Sequence, residues 1–421
     1  MTADGTPRIS VVMPSLNQGR FIDEAIRSVL GGHPPDVELY VADGGSTDGT
    51  QERLQSLASE FGAALRWSSQ RDGGPAEAVN RAIAQSRAPL IGWLNSDDLY
   101  AEGAIARALA HFEAAPGHLM VYGEGEHVDV AGAFLERYPT LPPSTPIQVF
   151  SEGCFICQPT AFFKRDAFNA LGGLDPTLRA SFDFDLWLRF FKTYPERIGF
   201  VHEVQALSRL HEGGITLSQR GRVAREGITV LGRHLGWAPP NWAITWLEEL
   251  CAAHPFHPTP LDMTGELEKL AADCAGFLGP AGLDVLQARI DADTRLRLAT
   301  PELYVDVGAD GWAGPELQIR VLRRERRDAE LRLLCRHASP ARGVLMLEVL
   351  APDGAREEIV VQEPGLFVIE IDLSTIVPGE QAVWRVACED CFVPAQWERG
   401  SNDTRALAFK VEDRELAAPA R

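Results

Sequence analysis

Between Arg8 and Tyr100 the chain alternates short β-branched runs with amphipathic stretches, and few folds accommodate that alternation. Ile9-Ser10-Val11-Val12-Met13 reads as a buried strand, followed by Val37 to Val41, Leu65-Arg66-Trp67 and the run beginning at Leu90. Between the first two, Ile22, Ala25, Ile26, Val29 and Leu30 recur at helical spacing; further helices are expected from Gln51 to Phe61 and from Ala76 to Ser86. Strand, helix, strand, helix at this spacing predicts a parallel sheet with crossover helices. Ligands of such sheets gather at the carboxyl ends of the strands. Here those ends carry the polar punctuation: Pro14 to Asn17, Asp43 to Thr50, Gln70 to Asn80, and Asn95 to Asp98.

The last cluster is the most chemically pointed. Leu90, Ile91, Trp93 and Leu94 give way abruptly to Asn95-Ser96-Asp97-Asp98. Two adjacent carboxylates at the end of a buried strand resist desolvation unless a cation or hydrogen-bond donors meet them. Hard cations such as Mg²⁺ or Mn²⁺ take oxygen ligands and bridge a carboxylate to a substrate's phosphates. The plain alternative is a polar turn after a strand.

The 421 residues exceed one ordinary domain. A formal charge of −19 argues against wrapping a nucleic-acid backbone, so no nucleic-acid partner is expected. An acidic site handling an anionic nucleotide then needs a metal or local arginines. The seven cysteines are odd in number and scattered, which suits a reducing compartment better than a disulfide framework. Met1 to Arg8 lacks the pattern of a signal peptide, and no run reaches the roughly 18 apolar residues of a spanning helix. The expected location is cytoplasmic, with peripheral visits to the inner face of the membrane if the acceptor is lipid-carried.

Further along, Met120 to Gly123 reads as a strand, Cys154 to Lys164 as a buried strand or turn, and Arg165 to Leu171 as a helix. Phe182 to Phe191 reads as a short aromatic-rich helix opening on Asp183 and Asp185, and Phe200 to Leu210 is strand-like, ending in Arg209 and His211. The character shifts near Gly236. Residues 241–300 are helical in pattern with breaks at Pro255, Pro258 and Pro260; from Glu302 to Val411 apolar and polar residues alternate between turn signals, which suggests a small β-sandwich. The expected organisation is an α/β catalytic domain over 1–235, a helical segment over 236–300 and a β-sandwich-like accessory domain over 301–415. Cys154-x-x-Cys157 and Cys388-x-x-Cys391 fall in different expected domains, so a shared zinc site is not expected. His254 and His257 are expected at the surface.

Taken together, Pro14-Ser-Leu-Asn-Gln-Gly, Asp43-Gly-Gly-Ser-Thr-Asp-Gly-Thr, Asn95-Ser-Asp-Asp, Gln158-Pro-Thr-Ala-Phe-Phe, Phe182-Asp-Phe-Asp-Leu-Trp-Leu-Arg and Arg209-Leu-His resemble, in order and spacing, the family 2 inverting glycosyltransferases of the GT-A fold. The resemblance covers roughly residues 8–220. It implies a mostly parallel GT-A sheet flanked by helices, a nucleotide-sugar donor and a divalent metal, Mg²⁺ or Mn²⁺. It also implies a donor-binding set of Pro14, Ser15, Asn17, Asp43, Arg71, Asp72, Asn95, Asp98 and Arg209. Asp43 would accept the imide N–H of a uracil or thymine ring, as a carboxylate does well. Gly44 stands where many members have a second Asp. Asp72 would lie near the base or ribose, with Arg71 offsetting phosphate charge. Asp97 matches the metal-binding carboxylate, and His211 a histidine that some members use as a further ligand. Asn95 replaces an Asp of the motif and drops one charge.

An inverting transfer needs one general base on the acceptor hydroxyl. Asp183 matches the catalytic acidic position, although Phe182 replaces the preceding Glu, and an aromatic neighbour would desolvate the carboxylate and raise its basicity. Asp185 is the competing base. Arg189 and Arg209 are further candidates for phosphate contacts. Trp93 and Trp187 are expected to pack in the core, and Asp48 to cap a helix.

The function these residues imply is transfer of a sugar from a UDP- or dTDP-type donor to a glycan or lipid-linked acceptor, in building cell-envelope polysaccharide. The competing readings are a sugar-nucleotide pyrophosphorylase and a catalytically inactive glycan-binding protein. Pyrophosphorylases lead from the first strand into a Gly-rich, Arg-containing phosphate loop, unlike Pro14-Ser-Leu-Asn-Gln-Gly; retention of Asp97, Asp98 and Asp183 counts against an inactive domain. The β-rich tail is open to acceptor docking, homodimerisation or assembly with sister enzymes.

Overall fold

The structure is a computed structural model that describes residues 6–32, 36–211, 213–253, 263–299, 302–323, 330–338, 343–397 and 401–417. His254, His257 and the three proline breaks lie outside the described residues. The chain divides into two compact units, Met1–Ala238 and Pro239–Arg421.

In the first unit β1 (Ile9–Ser15), β2 (Val37–Asp43), β3 (Leu65–Ser69) and β4 (Leu90–Trp93) alternate with α1 (Ile22–Leu30), α2 (Thr50–Phe61) and α3 (Pro75–Gln85). There follow β5 (Leu99–Tyr100), α4 (Ala104–Ala114), β6 (Met120–Val128), β7 (Phe134–Arg137), β8 (Phe162–Lys164), α5 (Arg165–Ala170), α6 (Phe182–Thr193), β9 (Ile198–Arg209), α7 (Ile215–Ser218) and α8 (Arg220–Leu235). The sheet order is β3-β2-β1-β4-β8-β6-β9-β5, with β7 paired to β6. β3, β2, β1 and β4 run parallel to one another, as alternation with helices requires. Beyond β4 the sheet is mixed, because β8 runs antiparallel to both β4 and β6, while β6 and β9 are parallel.

All seven residues of β1 are buried, as befits a central strand covered on both faces. The face of α1 that the spacing predicted, Ile22, Ala25, Ile26, Val29 and Leu30, is buried against Val11, Met13, Leu39 and Val41 in one apolar cluster. The chain leaves β1 toward β2 and β3 and returns to β1's other side as β4. This reversal opens a crevice at the carboxyl ends of β1 and β4, the place where an open α/β sheet binds its ligand.

The second unit holds α9 (Pro240–Ala253), α10 (Met263–Ala292) and α11 (Thr294–Leu298), then strands. They are β10 (Leu303–Val305), β11 (Glu316–Leu322), β12 (Glu330–His337), β13 (Leu345–Leu350), β14 (Arg356–Val361), β15 (Gly365–Asp372), β16 (Gln381–Cys388) and β17 (Lys410–Ala417). They form a five-stranded sheet, β10-β11-β16-β13-β14, and a three-stranded sheet, β15-β12-β17. Leu317, Ile319, Leu347, Trp384 and Val386 of the first share one buried cluster with Leu331, Leu333, Ile369, Ile371 and Val411 of the second. Two antiparallel sheets closing on one apolar layer make a sandwich.

Candidate functional site

A cavity of about 490 Å³ opens at that crevice. Pro14, Ser15 and Leu16 reach it from the end of β1, Asn95 to Asp98 from the end of β4, and Gly74 and Pro75 from the start of α3. His127, Tyr138, Gln158, Phe182 and Asp183 form further wall, together with residues 208–211 and 213–217.

Asp97 and His211 come together here. His211 Nε2 lies 3.0 Å from Asp97 Oδ2, although the two are 114 residues apart. Asp98 stands behind them, 4% exposed, accepting from the Arg209 backbone N–H at 2.8 Å and from Asn95 Nδ2 at 3.2 Å. Burial, and then the charge of Asp97, push its carboxyl up to about 8. The residue at 95 is explained by its contacts. Its amide donates to both Asp98 and Gln158 Oε1, and its carbonyl accepts from Trp93 Nε1, so an aspartate there would set a second charge against Asp98. Gln158 completes the brace by donating to the Trp93 carbonyl at 2.8 Å. Its motif was visible in the sequence, but its partners were not.

Arg209 lines the cavity, yet its guanidinium is engaged. It donates to the carbonyls of Asp97, Asp129 and Val130 and to the Glu24 carboxylate, and it lies over the Phe21 ring. It holds the acidic loop in place. Arg189 likewise bonds Asp185 and the Leu171 carbonyl.

Asp183 and Asp185, neighbours on α6, have different surroundings. Asp185 is 4% exposed; burial alone would raise its carboxyl, but His234 and Arg189 outweigh that and hold it below the usual range. Asp183 opens onto the cavity and has no cationic partner among the described residues, so burial pushes it up to about 6 against the hold of its own and the Phe184 amides. Tyr138, Cys154 and Cys157 lie within electrostatic reach of it. The Phe182 ring stacks on Trp93 at 5.7 Å between centroids. Trp93 and Trp187 are buried, as core packing requires. Cys154, Cys157, Cys388 and Cys391 form no disulfide; Cys157 and Cys388 are buried, and Cys154 and Cys391 half-buried.

The remaining candidates divide. Pro14, Ser15 and Asp72 line the cavity, and the buried Ser15 hydroxyl has no hydrogen-bond partner among the described residues. Asp72 accepts from the Gly74 N–H at 3.1 Å and pairs with Arg81 at 3.3 Å. Asn17, Asp43 and Arg71 are not in the lining. Asp43 is fully buried, taking hydrogen bonds from the Gly45 and Ser46 amides and the Ser46 and Ser69 hydroxyls, so its carboxylate shapes the loop after β2. Asn17, held at φ 54, bridges that loop to the one after β1 by accepting from the Thr47 amide and donating its own to Ser46 Oγ. Arg71 is exposed. Asp48 is structural: it sits one residue ahead of the α2 N-cap, Gly49, and accepts from the Gly19 and Thr50 amides. Gly44 has a physical reason: a Cβ there would sit 3.3 Å from Asp72 Oδ2, where a second aspartate would face a like charge.

Among the described residues no cluster of three or more His, Cys, Asp or Glu side chains is arranged to enclose a metal. The Asp97–His211 pair, with Asp98 behind it, suits a hard cation held by one or two protein ligands and completed by substrate oxygens.

The chain is similar to several known proteins. An uncharacterised glycosyltransferase of Rickettsia typhi is 26% identical over 224 residues, 50% of this chain and 66% of the relative. Chondroitin synthase of Escherichia coli is 26% identical over 194 residues, 46% of this chain and 28% of that enzyme. The chain thus spans just under two thirds of the first relative's length and little more than a quarter of the second's. The crystal structure of S. aureus TarS 1-349 is 15% identical with a TM-score of 0.46, covering 68% of this chain and 85% of that one. Residues 10–172 match the model of Glycosyl transferase family 2. That match runs from β1 to just past α5, the elements that supply the acidic loop and much of the cavity wall.

Proposed function

We propose that the protein is a metal-dependent inverting glycosyltransferase. It moves a hexose-type unit from a UDP- or dTDP-type sugar to a glycan or lipid-linked acceptor at the cytoplasmic face of a membrane. The observation that carries the reading is that the Asp97–His211 pair and Asp183, which has no cationic partner among the described residues, line one cavity.

Asp97 and His211 would hold Mg²⁺ or Mn²⁺, which when bound neutralises charge on the departing diphosphate. The Ser15 hydroxyl is free to bond the donor, and Asp72 lies at the α3 end of the cavity, where the resemblance puts base or ribose. In one in-line displacement the acceptor oxygen bonds to the anomeric carbon as the bond to the diphosphate oxygen breaks. Asp183 takes the acceptor's proton, and its raised pKa makes it a stronger base than an ordinary aspartate. Asp185 is unsuited to that role, because its charge is already committed to His234 and Arg189.

The test is Asp183→Asn. Calorimetry should find donor affinity retained while transfer is lost, and the wild-type product should carry inverted anomeric configuration by NMR. Lost donor binding in that variant would remove the base assignment.

A further inference from the structure

The first amides of an α-helix have no intrahelical partner. At the start of α6, three successive amides ahead of the helix are met by a single carboxylate. Glu226 Oε2 accepts from Ala180 at 2.8 Å, Ser181 at 2.9 Å and Arg179 at 3.1 Å, and its Oε1 accepts from Arg179 at 2.9 Å. The Ser181 hydroxyl adds a bond to the Val223 carbonyl at 3.2 Å. A carboxylate at a helix N-terminus is favoured by the dipole, and charge-assisted bonds to amides are the strong kind.

Glu226 belongs to α8 and is not in the cavity lining, but both ends of its connection reach the site. Upstream, residues 213–217 line the cavity next to His211. Across the contact, Asp183 is the second residue of α6, two positions after Ser181. The amides at this helix end are shared between two carboxylates. Glu226 takes those of residues 179–181, and Asp183 takes its own and that of Phe184. The other first-turn carboxylate, Asp185, is held by His234 and Arg189.

We infer that Glu226 is a positioning residue for the base: its carboxylate fixes the loop ahead of α6 so that Asp183 faces the acceptor side of the cavity. The inference rests on the reading of Asp183 as the base. It ties the two halves of the site together, since the segment that leaves His211 returns through Glu226 to the helix bearing Asp183.

The experiment compares Glu226→Ala, Glu226→Gln and Asp183→Asn in the full chain, measuring kcat and KM with the nucleotide-sugar donor, donor affinity by calorimetry and the melting temperature. Misplacing a reacting group by about 1 Å can cost on the order of a hundredfold in rate. Glu226→Ala should therefore lose about a hundredfold in kcat. Glu226→Gln, which keeps one acceptor oxygen without the charge, should recover part of that loss. Donor affinity should stay at the wild-type value in both. Should Glu226→Ala fail to fold, the same split between kcat and donor affinity in Glu226→Gln decides. Wild-type kcat in the folded Glu226 variants beside an inactive Asp183→Asn would overturn the positioning role alone. A parallel fall in donor affinity would overturn it too, by reducing Glu226 to a general support. Full transfer by Asp183→Asn would instead remove the base reading, and this inference with it.

Discussion

At Asp183 one burial effect serves two measurable ends. A carboxyl raised to about 6 is protonated below that pH and cannot accept the acceptor's proton, so kcat should fall as pH drops through about 6, with a slope of one proton. The stability consequence has the opposite sign. The folded state holds this proton more tightly than the unfolded state, so the fold loses stability as pH rises from the ordinary aspartate value toward 6 and stays penalised above it. Asp183→Asn should therefore melt higher than wild type at pH 8 and lose most of that advantage at pH 4. At the other side of the cavity, Asp97→Ala should abolish turnover and the response of donor affinity to added Mn²⁺; metal-independent transfer by that variant would refute the metal role. What was legible at this scale depends on the kind of residue. Asp97, Asp98 and Asp183 announce themselves as charges beside apolar runs, and all three reach the cavity. Asp43 and Arg209 carry the same signal in sequence, but their partners, Ser69 for one and the Asp129 and Val130 carbonyls for the other, are remote in the chain. Hydrogen-bond satisfaction by distant groups leaves no local trace, and it separates the residues that hold the site from those free to act.

At the scale of elements, Arg209 at the end of β9 clasps three structures: the acidic loop after β4, the β6–β7 hairpin and α1 through Glu24. Its side chain is almost wholly buried, so removing the charge leaves several carbonyls without a donor. Arg209→Met should destabilise the first unit by on the order of 3 kcal/mol, read by urea titration, and should loosen the acidic loop so that Mn²⁺ binds more weakly. Unchanged metal affinity would limit Arg209 to stability. The strands and helices up to β4 were legible because their periods are unmixed and their breaks sharp. In the second unit the alternation picks out β11, β13, β15 and β16 but not β10, β12, β14 and β17. β14 reads Arg-Glu-Glu-Ile-Val-Val and lies at a sheet edge, where charged residues replace the apolar alternation of an inner strand. β17 carries charges along most of its length and lies at a sheet edge, paired with β12. The reversal of β8 against β4 also had no sequence signal, since a three-residue strand flanked by a turn and a helix carries no mark of direction.

At the scale of the whole molecule, the two units have separate apolar clusters. Val11, Ile26, Leu39 and Val121 belong to one, and Leu317, Leu333, Ile369 and Val386 to another. Each cluster is closed by elements of its own unit, and the helix before the division ends cleanly, with Gly236 at φ 77 donating its amide to the Gly232 carbonyl. A unit that buries its own core has the means to fold alone. We therefore expect a chain ending at Ala238 to fold cooperatively and to bind nucleotide-sugar donor as the full chain does, because the cavity and all its lining lie before that point. Calorimetric melting of the full chain should give two transitions, one of which persists in the shortened chain, and donor should raise only that one by mass action. A shortened chain that melts as one broad, donor-insensitive transition would mean that the second unit is needed to complete the first. If donor binding survives and transfer to acceptor is lost, the sandwich acts on the acceptor, and the dependence of KM for acceptor on its presence would measure that action.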